Sequence, residues 1–195
     1  MKQEVLDRVL GILKTGAEDE KETAAGQLMA AGETAVPGLQ AVLASGDADA
    51  RWWATRALAG IPGPAAVQTL IATLSDPDED VRVCAVMGLG ECRKAAAVDK
   101  LLTLLPGGNS YVARHAGDAL SKIGEPAVPG LLRALEDKSP AVRAQAARAL
   151  VRIKSHQAIP ALIKALDDPE PTVEHYAWEA LQRMGVGAMV YFRNP

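Results

Sequence analysis

One segment recurs along the chain at a nearly fixed spacing, and no other feature restricts the fold as much. Aligned on Arg51, the copies read DADARWWATRALAGI (47–61), DEDVRVCAVMGLGEC (78–92), NSYVARHAGDALSKI (109–123), SPAVRAQAARALVRI (139–153) and EPTVEHYAWEALQRM (170–184). A weaker copy, EDEKETAAGQLMAA, puts Lys21 at the Arg51 position. The register advances by 31, 31, 30 and 31 residues. A second block follows each copy: AVPGLQAVL, AVQTLIATL, AVDKLLTLL, AVPGLLRAL and AIPALIKAL. A unit this small cannot bury its apolar face alone, so the copies must stack on one another to share a continuous core.

Both blocks read as helices. The chain holds 36 alanines against seven aromatic residues, which suits helix and argues against a β-sandwich or barrel. In the first block the apolar positions, such as Val81, Ala85, Val86, Gly88, Leu89 and Cys92, follow a 3.6-residue stripe. Asp47, Asp78, Asn109 and Ser139 stand where an N-cap acceptor belongs, and Pro140 and Pro171 fall at the first helical position. Gly60, Gly90, Gly124 and Gly185 mark the helix exits or the turns just after them. Ala54, Ala85, Ala116, Ala146 and Ala177 recur at one register position, where a small side chain lets neighbouring helices approach. The expected fold is all-α, a right-handed α-α superhelix of about five to six helix pairs.

The pattern V-R-x-x-A-x-x-A-L-x-x-I followed by A-V-x-x-L-x-x-x-L resembles the HEAT-like repeat of phycobilisome bilin lyases and deoxyhypusine hydroxylase, over roughly residues 18–190. The chain then reads as a single solenoid over 1–195, with a capping helix at 1–17. Repeats follow at about 18–46, 47–77, 78–108, 109–138 and 139–169, and an incomplete one at 170–195. The resemblance specifies architecture and leaves function open, because the same repeat serves enzymes, chaperones and adaptors. It also implies that the positions one, two, five and nine after Arg51, which lie off the apolar stripe, line the concave face.

Those positions hold Trp52, Trp53, Arg56 and Gly60; then Val83, Cys84, Met87 and Glu91; then Arg114, His115, Asp118 and Lys122; then Ala144, Gln145, Arg148 and Arg152; and finally His175, Tyr176, Glu179 and Arg183. The earlier copies are acidic at their helix starts and carry the adjacent tryptophans, whereas the later ones are rich in arginine, with Tyr111 and Tyr176 interleaved. A groove with one acidic and one basic end suits an extended peptide or protein edge better than a uniform polyanion. Tryptophan is costly on a surface and typical of binding hot spots. The candidate partner-binding residues are therefore Trp52, Trp53, Arg56, Tyr111, Arg114, His115, Arg148, Arg152, Tyr176 and Arg183, on a non-enzymatic adaptor for a protein or peptide. The second expectation, from the resemblance, is a bilin lyase-like or maturation factor.

Other chemistry finds little support. In deoxyhypusine hydroxylase, His-Glu pairs directly after the repeat arginine hold two irons; here those slots read Trp52-Trp53, Val83-Cys84, Arg114-His115, Ala144-Gln145 and His175-Tyr176. Only His175 matches, so no metal and no cofactor is expected. His115 with Asp118 and His175 with Glu179 lie two repeats apart, about 20 Å, too far for one ion. His156 reads as a loop or capping residue. Cys84 and Cys92 would sit about 12 Å apart along one helix, so they read as free thiols of a reducing compartment. The net charge of −3 leaves no nucleic-acid footprint. With no apolar run near 18 residues and no secretory cleavage site near the N-terminus, a cytoplasmic protein without membrane contact is expected. Tyr191 and Phe192, at a C-terminal end without a polar capping helix, either fold back over the last core or dock a partner or second copy.

Overall fold

The repeated blocks fold as paired helices. The structure, a computed structural model, describes residues 3–106 and 110–186, and the chain divides into two compact units, Met1–Lys94 and Ala95–Pro195. The first unit holds α1 (Gln3–Thr15), α2 (Glu18–Ala31), α3 (Val36–Ser45), α4 (Ala48–Ala59), α5 (Pro64–Thr73) and α6 (Glu79–Cys92). The second holds α7 (Val98–Leu102), α8 (Ser110–Ile123), α9 (Val128–Ala134), α10 (Pro140–Ile153), α11 (Ile159–Ala165) and α12 (Pro171–Arg183). No strand occurs among the described residues. Within the first unit the long helices stack in the order α2, α4, α6, with α1, α3 and α5 against them as a second layer. Within the second, α8, α10 and α12 stack likewise, backed by the shorter α7, α9 and α11.

The helix starts have local causes, not all of them those expected. Asp47 accepts from the Ala50 N–H at 2.8 Å, and Asp78 from the N–H groups of Asp80 and Val81 at 3.0 and 3.1 Å, so both are true N-caps. Ser139 holds the N-cap position of α10, but its side chain makes no capping bond. Two residues earlier, Asp137 accepts from the Ser139 N–H at 2.8 Å, as Asp76 does from the Asp78 N–H at 2.9 Å. Pro140 and Pro171 open α10 and α12, where a missing N–H leaves nothing unsatisfied. Asn109, with Tyr191 and Phe192, lies outside the described residues.

The helix exits correct one expectation. Gly90 is not at an exit but buried inside α6. The chain leaves α6 and α10 through Arg93 (φ 49°) and Lys154 (φ 59°), both left-handed, at the register position where other copies carry Gly32 (φ 64°), Gly124 (φ 84°) and Gly185 (φ 79°). In the Arg51 copy that position is Pro62. An arginine and a lysine thus take a conformation that glycine adopts without steric cost.

Leucines and alanines do the packing. Leu13, Leu28, Leu39, Leu58, Leu70 and Leu89 are fully buried in the first unit, and Leu101, Leu120, Leu131, Leu150 and Leu162 in the second. Each stabilises its unit by about 1.5–3 kcal/mol relative to an exposed side chain. Ala54, Ala85, Ala116, Ala146 and Ala177 are completely inaccessible, as their recurrence predicts. At Gly88 an added Cβ would lie 2.6 Å from Ala59 Cβ and 3.2 Å from Ala59 Cα, so α6 joins α4 tightly there.

Candidate functional site

The arginine on which the copies align belongs to the scaffold. From α4, Arg51 grips Asp76, beyond the end of α5, through two bonds: Nε to Oδ2 at 2.8 Å and Nη2 to Oδ1 at 3.0 Å. Its third nitrogen donates to the Gly46 carbonyl at 3.1 Å. Arg143 repeats the geometry on Asp168 at 2.7 and 2.8 Å, with Nη1 on the Asp137 and Lys138 carbonyls. Each aspartate also accepts a backbone N–H, from Asp78 and Glu170 respectively, both at 2.9 Å. Burial pushes the Asp76 carboxyl up, but the Arg51 hydrogen bond and the Asp78 N–H outweigh it, so Asp76 titrates below the usual carboxylate range. For Asp168 the Arg143 bond is the leading cause of the same downward shift. Arg82 has no such carboxylate twenty-five residues on, where the sequence holds Gly107; its Nη1 donates to the carbonyls of Asp76 and Pro77 instead. The two clamps fasten the turn after α5 to α4 and the turn after α11 to α10.

In the first unit the off-stripe positions separate into floor and surface. Trp53 is buried, at 8% exposure, and Val83 and Cys84 are buried with it. The expectation that both tryptophans face outward therefore fails for Trp53. Position two lies between stacked long helices, so a large side chain there is covered by its neighbours. Trp52 is half-buried and meets Trp53 edge to face, with ring centroids 4.9 Å apart. Arg56, one turn further along α4, is exposed, and its charge acts on the Cys84 thiol of α6. Met87, at the equivalent position of α6, is 48% exposed. Burial pushes the Cys84 thiol up to about 11 against a small opposing effect of Arg56, so it is not an activated nucleophile. The packed helices α4 and α6 thus carry an apolar shelf, half-buried Trp52 and exposed Met87, with Trp53, Val83 and Cys84 buried in the same two helices and Arg56 exposed on α4.

In the second unit the same positions are charged and already engaged with one another. Arg148 of α10 donates to Asp118 of α8 at 3.0 Å, to the Arg114 carbonyl at 2.7 Å and to the Gln145 amide oxygen at 3.1 Å. Arg152 reaches the same Asp118 oxygen at 3.4 Å. Arg183 pairs with Glu179 one turn back on α12, at 2.7 Å. Arg148 and Arg183 are thus not the uncommitted cations that the sequence suggests. Arg114 is exposed, as is Tyr111, whose ring stands edge-on to His115 with centroids 4.7 Å apart. Tyr176 is half-buried against an exposed His175. The His-carboxylate pairs considered from spacing do not form here, because Asp118 and Glu179 turn to arginines. His156 is exposed at the start of a 3₁₀ turn.

One concavity was not foreseen. A shallow cleft of about 460 Å³ lies on the opposite layer of the first unit, between α3 and α5, lined by Gln40, Leu43, Ala44, Gln68, Ala72 and Ser75 among others. Gln40 donates to the Thr69 hydroxyl across it at 2.8 Å. The signal lay in the sequence as small residues, Ala44 and Ala72, facing each other from adjacent short helices. Its only carboxylate, Asp76, is the one held by Arg51, so apart from that paired charge the cleft offers amides and hydroxyls. Among the described residues no cluster of three or more His, Cys, Asp or Glu could hold a metal ion, and no helix is long and apolar enough to cross a membrane.

Comparison with known proteins agrees with this architecture. A family model described as HEAT repeats matches residues 36–116 and 98–182, together well over half of the chain. Among solved structures, a HEAT-like repeats protein from the archaeon Thermococcus onnurineus superposes with TM-score 0.61 at 15% identity, over 94% of this chain and 80% of that one. The complex of CpcE and CpcF of phycocyanin lyase from a Nostoc species gives 0.56 at 25% identity, over 95% and 79%. Human deoxyhypusine hydroxylase gives 0.50 at 16%, over 98% and 91%. No curated protein matches the chain.

Proposed function

Because the chain belongs to the HEAT-repeat family, whose helical solenoid is typical of protein-interaction scaffolds, we propose that it is a non-enzymatic adaptor that binds a peptide or protein surface on the outward faces of its long helices. The observation that carries this reading is the apolar shelf of the first unit. A half-buried Trp52 on α4 and a 48% exposed Met87 on α6, which packs against it, are costly to leave in water and suited to an apolar anchor. Arg56 at its edge supplies a polar contact. On the second unit Arg114, His115 and Tyr111 form a separate polar face, with Arg148, Arg152, Tyr176 and Arg183 alongside. Trp53 supports Trp52 and does not itself meet the partner.

The test is selection of peptides from a random display library on the full chain, followed by titration of the best binder. Trp52→Ala should weaken it by about 2 kcal/mol, roughly 30-fold, with an unchanged melting temperature. Equal binding by the variant removes the shelf from the interface.

The 25% identity to the phycocyanin lyase complex favours one alternative, a lyase-like or maturation factor for a tetrapyrrole carrier. Titration with free bilin decides it: a shifted visible absorption band supports that reading, and an unchanged spectrum opposes it.

A further inference from the structure

The polar face of the second unit contains an acid of its own, and its geometry is lopsided. Two arginines of α10 converge on a single oxygen of Asp118 in α8, yet they are held very differently. The Arg148 guanidinium is spread over three protein acceptors and only 19% exposed, so it is fixed in place. Arg152 makes a 3.4 Å contact with that oxygen and is 54% exposed. That distance is well beyond the 2.7–2.9 Å of a strong charge-assisted bond. Arg148 and Arg152 are four residues apart on one helix, where like charges repel. A single carboxylate therefore offsets two guanidinium groups and satisfies one of them. Exposed Arg114 adds a further charge from α8, and Lys122 lies one turn past Asp118 on that helix.

We propose that Arg152 receives a carboxylate from an acidic peptide segment, that exposed Arg114, eight register positions or about 12 Å back along the face, receives another, and that Asp118 is a built-in competitor for Arg152 that sets how acidic the segment must be. This rests on the reading of the chain as a binding scaffold, and it names the chemistry of what the second unit takes. An incoming carboxylate gains short bonds to Arg152 without disturbing Arg148, whose contacts hold α8 against α10. It must also outweigh the residual attraction between Arg152 and Asp118 and the repulsion from Asp118 itself. An isolated acid gains little under those conditions, and a run of acids gains more. A peptide fits better than a nucleic acid, because the fixed carboxylates Asp118 and Glu179 stand between the cations. A phosphate backbone tracking the helices would meet them in turn.

The probe is a fluorescein-labelled hexaglutamate peptide titrated into the full chain by anisotropy at low and at physiological salt. Arg152→Ala should weaken binding at least 5-fold. Asp118→Asn, which keeps the shape and an acceptor oxygen for Arg148, should tighten it about 3- to 10-fold. Melting curves confirm that both variants are folded. Trp52→Ala should leave hexaglutamate binding unchanged, so a failure of the apolar shelf and a failure of this site give different results. The proposal is overturned if wild type does not bind hexaglutamate, if Asp118→Asn binds it no better, if Arg152→Ala binds it as well, or if a 12-nucleotide oligothymidine binds more tightly than the peptide.

Discussion

Replacing Gly88 by alanine sets two well-calibrated effects against each other, and the structure decides the sign. In an exposed helix interior the change removes backbone entropy from the unfolded chain and stabilises by about 1 kcal/mol. Gly88, however, faces Ala59 across the seam between α4 and α6. The new Cβ would sit 2.6 Å from Ala59 Cβ, where normal contact needs about 3.4 Å or more, and 3.2 Å from Ala59 Cα. The second atom is backbone, so no rotamer change relieves the clash and the two helices must separate by several tenths of an ångström. Overpacking of this kind costs about 1–3 kcal/mol, and separation also loosens the buried contacts of both helices. Net destabilisation of about 1–2 kcal/mol is expected. Gly26 is the matched control: it lies inside α2 of the same unit, and an added Cβ there meets nothing within 4 Å. Gly26→Ala should stabilise by about 0.5–1 kcal/mol. Urea titrations followed by circular dichroism compare the three proteins. If Gly88→Ala is as stable as wild type or more so while Gly26→Ala behaves as stated, close packing of α4 on α6 is refuted.

The clamps and the thiol give the remaining predictions. Asp76→Asn should destabilise the first unit by about 2 kcal/mol, since it removes the charge from a bidentate bond to Arg51; an unchanged urea midpoint contradicts the clamp. Asp76 and Asp168 have lowered folded-state values against an ordinary one of 3.8, so the stability they contribute is complete above that value. It is lost as pH falls through their folded values. Melting temperature should therefore hold between pH 7 and 5 and fall below about pH 4, less steeply in the doubly substituted Asp76→Asn, Asp168→Asn protein. With Cys92 replaced by serine, Cys84 should react with a disulfide reagent at pH 8 far more slowly in the native state than in guanidinium. A value of about 11 leaves roughly one thiol in a thousand ionised at that pH; equal rates contradict its burial.

What could be read from residues alone was whatever a single repeat decides for itself. The copies identify paired helices because apolar spacing, N-caps at Asp47 and Asp78 and prolines at 140 and 171 are short-range signals. Features that depend on a neighbour were not legible. Ser139 is a good cap by type, yet its side chain makes no capping bond. Gly90 is absorbed into α6, and the exits fall to Arg93 and Lys154, which carry no compositional mark of a left-handed turn. Trp53 looks like Trp52 in the sequence and differs only because its position is covered by stacked helices. The pairing of Asp118 with Arg148 joins equivalent positions of successive copies, and an alignment superposes such positions without saying that they touch.

That last distinction bears on how such a repeat acquires function. Arg51 and Arg143 are committed to clamping turns; at Ala113 the same register position holds no arginine, and there Asp137 receives the Ser139 N–H while its carbonyl receives Arg143. The positions one, five and nine residues further on differ between copies: they include Trp52 and Met87 in the first unit and Arg114, Asp118 and Arg152 in the second. A change at the clamp should alter stability whatever the surface binds, whereas the binding roles proposed for Trp52 and Arg152 predict altered binding with an unchanged melting temperature. The separation is physical, since a clamp arginine spends its nitrogens on a carboxylate and turn carbonyls of its own unit, and Arg152 keeps most of its guanidinium in water.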